Sequence, residues 1–127
     1  MNRMLLAAIA TVLAIPFAGT GCQGDCAGVG AFAVRVTVLD FDTNAQIAAG
    51  ARLSLFPADA STPIAVVTGQ TDTQLLEAGP DVTGLFDVVI EKPGYFPWTA
   101  MGVEVKGSCT TETVLLTAHL RRMPPAP

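Results

Sequence analysis

The stretch "AFAVRVTVLD", residues 31–40, alternates between two kinds of side chain, and this alternation decides the fold. Its apolar side consists of Phe32, Val34, Val36 and Val38. The intervening positions are Ala33, Arg35, Thr37 and Leu39. In a β-strand, successive side chains point to opposite faces of the sheet. The pattern therefore predicts a strand with one face in the core.

The same alternation recurs along the rest of the chain. It is found in "GARLSLFP", "GLFDVVIEK", "MGVEVKG" and "TETVLLTAHLR", while "PIAVVTG" and "DTQLLEAG" predict two shorter strands. Turn residues separate the segments, and no helical periodicity of useful length occurs between them. The sequence thus predicts an all-β, seven-stranded sandwich over residues 31–122, followed by a loose Pro-rich tail over residues 123–127. In the first turn, Asn44 is expected to adopt the left-handed conformation.

The first 22 residues, "MNRMLLAAIATVLAIPFAGTGC", have the three-part plan of a secretory signal. A basic residue is followed by an apolar run that is too short to span a bilayer as a stable helix. The ending "AGTGC" resembles the lipobox of bacterial lipoproteins, in which signal peptidase II cuts before a Cys that then carries lipid. The resemblance implies a signal peptide over residues 1–21, lipid on Cys22 and a short tether over residues 22–30. The alternative is cleavage by signal peptidase I near Ala18.

The chain has three cysteines, and an odd number in an exported protein leaves one thiol to be explained. If Cys22 carries lipid, Cys26 and Cys109 remain to form a disulfide in an oxidising compartment. Such a disulfide would join the start of the domain to the segment before its last strand. The alternative is that Cys26 and Cys109 are unpaired buried thiols.

The charge of the chain bears on its partners. The whole sequence has a net charge of −4, with 7 basic and 11 acidic side chains. Removal of the signal would also remove Arg3, which makes the charge more negative. A chain with this balance and no basic cluster beyond Arg121 and Arg122 is not expected to bind nucleic acid or to bind a membrane electrostatically.

Three segments together resemble the bacterial carboxypeptidase regulatory-like domains, a prealbumin-like (Ig-like) sandwich family. They are "VRVTVLDFDTNAQIAAGARLSL", "GLFDVVIEKPGYFPW" and "VEVKGSCTTETVLLTAHL". The likeness covers roughly residues 26 to 122, nearly the whole chain after the signal. It implies an accessory module without catalytic activity. A transthyretin-like relative of the fold hydrolyses hydroxyisourate with more than one His, whereas this chain has one His.

Residues for catalysis or metal binding are scarce. His119 is the only imidazole, and no Ser lies in a recognisable nucleophile elbow, so neither a triad nor a zinc site is expected. Asp40, Asp42 and Asn44 have the spacing of the first ligands of a calcium loop. Ala45 and Ala51 occupy positions that such a loop gives to Gly and Glu. A polar turn is the favoured interpretation, and we predict no cofactor, no metal and no catalytic residue.

The stretch "EKPGYFPW", residues 91–98, concentrates the aromatic side chains of the second half of the chain. Pro followed by Gly94 predicts a type II turn, from which Tyr95 enters the next strand. Alternation places Trp98 on the face of Phe96 and opposite Tyr95. Trp98 is expected either in the core, which we favour, or on a surface that stacks against sugar rings. Tyr95, Phe96 and Trp98 are accordingly the candidate ligand surface.

The sequence thus predicts a non-enzymatic, lipid-anchored β-sandwich of the bacterial cell envelope that docks an envelope protein or serves as a structural module near the membrane. Gln23 stands where the enteric sorting signal for inner-membrane retention has Asp, which favours the outer membrane by resemblance. The alternative is a carbohydrate-binding module that uses Trp98 and the neighbouring aromatic side chains to bind a polysaccharide.

Overall fold

The computed structural model describes residues 31–107 and 110–125. This part of the chain contains seven β-strands. They are β1 (Phe32–Asp40), β2 (Arg52–Pro57), β3 (Ala65–Thr68), β4 (Leu76–Pro80), β5 (Gly84–Glu91), β6 (Trp98–Val105) and β7 (Val114–Leu120). Each one overlaps a segment that the sequence predicted as a strand, although β6 begins at Trp98, three residues before the predicted segment "MGVEVKG". The described residues contain no helix long and apolar enough to cross a membrane.

The strands form two sheets that pack face to face. One sheet has three strands in the order β4-β1-β7, and the other has four in the order β3-β2-β5-β6. β1 and β7 are parallel, whereas the other neighbours are antiparallel. The prediction of an all-β, seven-stranded sandwich is confirmed.

The core lies between the sheets and is built from alternate positions of the strands. Val34, Val36 and Val38 of β1 are buried, as the opening stretch predicts. The largest buried side chains from other strands are Leu53, Leu55, Leu76, Ile90, Leu120 and Val88. Ala33, which the pattern placed on the other face of β1, is also buried, because Gly79 of β4 lies against it.

The turn after β1 has the conformation that the sequence predicts. Asn44 has a φ of 58°, in the left-handed region that Asn tolerates better than most residues. The amide of Asn44 donates to the carbonyl of Asp40 at 2.9 Å, which closes the turn at the end of the strand. The turn therefore brings the chain directly from β1 into the segment that leads to β2.

Several predictions concern residues outside the described ranges. These are the signal peptide over residues 1–21, the tether over residues 22–30, the lipidation of Cys22 and the disulfide between Cys26 and Cys109. The described segment reaches Pro125, so it includes the first part of the tail predicted over residues 123–127. Met123 in that segment is held by the fold, because its amide donates to the carbonyl of Gly94 at 2.9 Å.

Candidate functional site

The corner between β5 and β6 is a turn that is joined to the C-terminal segment. The amide of Tyr95 donates to the carbonyl of Lys92 at 3.1 Å, and Gly94 has a φ of 84°. These features agree with the predicted turn, which requires a positive φ at its third residue. The amide of Phe96 then donates to the carbonyl of Arg121 at 2.8 Å. The corner is therefore connected by backbone hydrogen bonds to the chain that follows β7.

Asp40 lies at the centre of this corner. Its side chain is almost fully buried, with a relative exposure of 1% for the residue. Oδ1 accepts hydrogen bonds from the backbone amides of Asp42 at 2.9 Å and Thr43 at 3.1 Å. Oδ2 accepts hydrogen bonds from the Tyr95 hydroxyl at 3.0 Å and the Arg122 Nε at 3.1 Å. One carboxylate thus connects the turn after β1 to the corner and to the end of β7.

The ionisation of Asp40 follows from these contacts. Burial by itself raises the pKa of the carboxyl, because it disfavours the charged form. The hydrogen bonds from the Thr43 and Asp42 amides, Tyr95 and Arg122 favour the charged form and outweigh burial, which lowers the pKa to about 2. The hydrogen bond with Asp40 in turn raises the pKa of Arg122. The corner therefore contains a buried, charged carboxylate, paired at neutral pH with the largely exposed side chain of Arg122.

The three aromatic residues of the candidate ligand surface do not lie on one surface. Tyr95 and Trp98 are partly buried and pack against the core, while Phe96 is 48% exposed. The Arg122 guanidinium lies over the Tyr95 ring, 5.8 Å from its centroid. The prediction that Trp98 shares a face with Phe96 is wrong, because β6 begins only at Trp98 and Pro97 interrupts the extended chain before it. Trp98 belongs to the margin of the core.

A shallow groove of about 520 Å³ adjoins the corner. Its charged residues include Arg52, Glu91 and Lys92, and its apolar side includes Tyr95 and Met123. Arg52 and Glu91 form an ion pair with 3.2 Å between Nη2 and Oε1. The Lys92 ammonium donates a hydrogen bond to the carbonyl of Ala49. The polar groups of the groove are thus largely engaged with one another.

His119 and the turn at Asp40 were the two places in the sequence considered for catalysis or metal binding. His119 is exposed and lies edge-on to the Phe41 ring, with 6.4 Å between the ring centroids. Arg121 lies over the same ring, 3.9 Å from its centroid. In the turn after β1, where the acidic residues have the spacing of a calcium loop, both carboxylate oxygens of Asp40 accept hydrogen bonds from protein donors. This agrees with a polar turn. In residues 31–107 and 110–125, no group of three or more His, Cys, Asp or Glu is arranged to hold a metal ion.

An apolar surface that was not predicted from the sequence lies on the outward side of the four-stranded sheet. We call it the outer face, and it consists of Phe56, Ile64, Val66, Leu85, Val89 and Met101. Ile64, Val66, Leu85 and Met101 have relative exposures between 49% and 72%. Phe56 and Val89 are half-buried between them. All four strands thus contribute apolar side chains to the outer face, with the exposed ones on or next to β3, β5 and β6.

The strand register brings these residues together. Ser54 of β2 pairs with Val66 on one side and Val89 on the other, and Val89 pairs with Thr99 of β6. In the neighbouring row, Phe56 pairs with Asp87. The Asp87 carboxylate accepts a hydrogen bond from the Gly102 amide at 2.9 Å, at the bulge where β6 presents Met101. A signal was present in the sequence, since Val66, Leu85 and Val89 are apolar at positions that alternation assigns to the outside.

No protein-family model matches the sequence. No curated protein matches it either.

Proposed function

We propose that this chain is a non-enzymatic, lipid-anchored module of the bacterial cell envelope that docks another envelope protein on its outer face. The observation that carries the proposal is the outer face itself, with exposed apolar side chains on β3, β5 and β6 and the half-buried Phe56 on β2. Monomeric soluble proteins rarely expose large contiguous apolar patches, and such patches often mark interaction sites.

The composition of the outer face favours a protein partner. Its side chains are mainly aliphatic, the Asp87 carboxylate among them accepts a hydrogen bond from the Gly102 amide, and two other nearby acidic residues are in ion pairs within the chain. Arg52 is paired with Glu91, and Glu104 with Lys106 at 3.9 Å. The centres of protein interfaces are likewise depleted of charged residues and enriched in apolar ones. A neutral apolar surface on another envelope protein is therefore the complementary partner.

A carbohydrate-binding function has less support. Sugar rings stack on exposed aromatic faces, and only Phe96 of the three candidate residues is exposed. The Tyr95 hydroxyl donates a hydrogen bond to the Asp40 carboxylate, and the Arg122 guanidinium lies over the Tyr95 ring. Trp98 packs against the core. The corner is thus better suited to joining three segments of the chain than to binding a glycan.

The anchor is tested by Cys22→Ser. The proposal rests here on the lipobox-like ending "AGTGC" and predicts that the native chain is in the membrane fraction, with the outer membrane as its expected location. We expect Cys22→Ser to move the chain to the soluble fraction, because only the lipid would hold it at the bilayer. Cys26→Ser is the matched control and should stay with the membranes. A Cys22→Ser chain that remains membrane-bound would show that the lipid is not the anchor.

Docking is tested by photo-crosslinking in cells. A photoreactive residue in place of Met101, which is 72% exposed on the outer face, should give one discrete adduct. Thr73, exposed in the turn before β4, is the control position and should give no such adduct. Adding Leu85→Lys to the Met101 variant should remove the adduct, because a charge would be placed in the apolar contact. Adducts of the same size at both positions, or an adduct that survives Leu85→Lys, would contradict the proposal.

A further inference from the structure

Among the described residues, the sandwich has four edge strands, and three of them carry features that oppose pairing with another strand. β3 has only 4 residues. β4 contains Gly79 with a φ of 76° and ends at Pro80. β6 has an irregularity opposite β5 and a positive φ at Gly102, and Pro97 precedes it. Short strands, prolines and bulges are the means by which proteins protect sheet edges.

The fourth edge, β7, has none of these features. Its 7 residues, "VLLTAHL", include no Pro and no Gly, and His119 is their only ionisable side chain. β1 covers one side of β7 in a regular parallel ladder. On its other side, the described residues make backbone hydrogen bonds only beyond the two ends of β7, where the Arg121 carbonyl accepts from the Phe96 amide at 2.8 Å and the Glu112 amide donates to the Lys106 carbonyl at 2.7 Å.

The direction of the backbone groups of β7 follows from two hydrogen bonds. The carbonyl of Leu120 accepts from the amide of Phe41, so it points toward β1. The carbonyl of the next residue, Arg121, points the other way, to Phe96. Because carbonyls alternate along a strand, Leu115, Thr117 and His119 direct their amides and carbonyls away from β1. No backbone partner for these outward groups is found within the described residues.

The opposite sheet shows what kind of strand would fit beside β7. The three-stranded sheet ends at β7, while the four-stranded sheet extends over it with β6. Trp98, Ala100 and Val103 of β6 point inward yet are only partly buried. A strand added beside β7 would lie below these side chains. Its inward positions would then be apolar, and it would complete a second four-stranded sheet.

A single strand fits this place better than a second copy of the chain. Two copies joined edge to edge through β7 would form one continuous sheet with both sandwiches on the same side of it. Each copy would bring its own β6, which overhangs β7, into the same space above the new edge. An isolated extended segment has no such overhanging strand.

We infer that the outer edge of β7 at Leu115, Thr117 and His119 is a strand-addition site for an extended segment of a partner protein with apolar residues at alternate positions. Main-chain hydrogen bonds to an exposed sheet edge are a known mode of peptide recognition. The site lies on a different sheet from the outer face. A failure of strand addition at β7 would therefore leave the crosslinking result at Met101 unaffected. A failure of crosslinking at Met101 would likewise leave the test of β7 unaffected.

The test uses amide hydrogen exchange of the full chain in its Cys22→Ser form, with an acetylated peptide of sequence "FAVRVTVLD" as the probe. This peptide copies β1, the strand that already pairs with β7 on its other side. We expect a dissociation constant of about 1 mM or tighter. At saturation, exchange at Leu115, Thr117 and His119 should slow at least about tenfold, because their amides become hydrogen-bonded. Leu116 and Ala118, which already face β1, should change little.

Two controls isolate the edge. Thr117→Pro removes one outward amide without removing a hydrogen bond to β1, and it should abolish peptide binding, whereas Thr117→Val should bind like the native chain. The second control changes only the peptide, with Pro at both positions that copy Val36 and Thr37. Successive amides point to opposite edges of a strand, so this peptide loses a hydrogen-bond donor whichever edge faces β7, and it should not bind. Two results would overturn the inference: binding that is equal for both peptides, or slow exchange at Thr117 that depends on protein concentration alone, which would indicate a second copy.

Discussion

Gly79→Ala is expected to lower the free energy of unfolding by about 3 to 5 kcal/mol, since it combines a strained backbone with overpacking. Gly79 is buried in β4 with a φ of 76°. A Cβ at this position would lie 2.6 Å from Leu55 Cδ2 and 3.0 Å from both Ala33 Cβ and Val82 Cγ2. The side chain would thus be forced into the middle of the core, where neighbours on both sheets would have to move.

Gly102→Ala is the matched control for this prediction. Gly102 also has a positive φ, 65°, but a Cβ there would meet no atom within 4 Å. Only the backbone cost remains, so we expect a loss of about 1 to 2 kcal/mol. Chemical denaturation of both variants measures the difference. Equal losses would show that Gly79 is required only for its backbone conformation and that the packing around it can relax.

Asp40→Asn is expected to destabilise the chain at neutral pH and to change how its stability depends on pH. The carboxylate accepts four hydrogen bonds, from Asp42, Thr43, Tyr95 and Arg122. An amide of the same size has one oxygen in place of two, and its NH₂ group would face donors. The substitution also leaves Arg122 without its ion-pair partner. Asp42→Asn, at an exposed position in the same turn, should by contrast change stability by no more than about 0.5 kcal/mol.

The pH dependence has a definite sign. In the folded chain the pKa of Asp40 is lowered from its ordinary value of 3.8 to about 2. The unfolded state therefore binds the proton more readily than the folded state. The stabilisation from Asp40 is fully present above the pKa of the unfolded state and is lost as the pH falls through the pKa of the folded state. We expect the native chain and Asp42→Asn to lose stability between about pH 4 and pH 2, and Asp40→Asn to lack that part of the loss. Denaturation midpoints from pH 6 to pH 2 measure it, and an equal fall in all three chains would contradict the assignment.

Local patterns predicted the strands and turns of this fold because each strand or turn depends on residues that are neighbours in the chain. Alternation in residues 31–40 identified β1, and it succeeded because the strand has one face on the core. Asn44 and Gly94 were correctly expected in turns, since the left-handed conformation depends on the residue itself. The prediction that Phe96 and Trp98 share a face failed because alternation applies only within a strand, and β6 begins at Trp98, after Pro97.

The features of the candidate sites depend on contacts between distant parts of the chain. Asp40 has the sequence environment of a turn, but its partners Tyr95 and Arg122 follow 55 and 82 residues later. The outer face likewise gathers Val66, Val89 and Met101 from three strands through their register. A single apolar residue at an outward position is common in sequences and signals nothing alone.

The sequence predicted the strands, their turns and, for β1, β2, β5 and β7, which face enters the core, because these follow from backbone conformation and the period of two. It also carried the export and lipidation predictions at its N-terminus. Only the tertiary structure decided which strands are neighbours, which edges are exposed and which outward side chains join into one surface. The physical reason is that strand order and register are set by packing between the sheets, so residues far apart in the chain acquire a shared environment only when the sandwich closes.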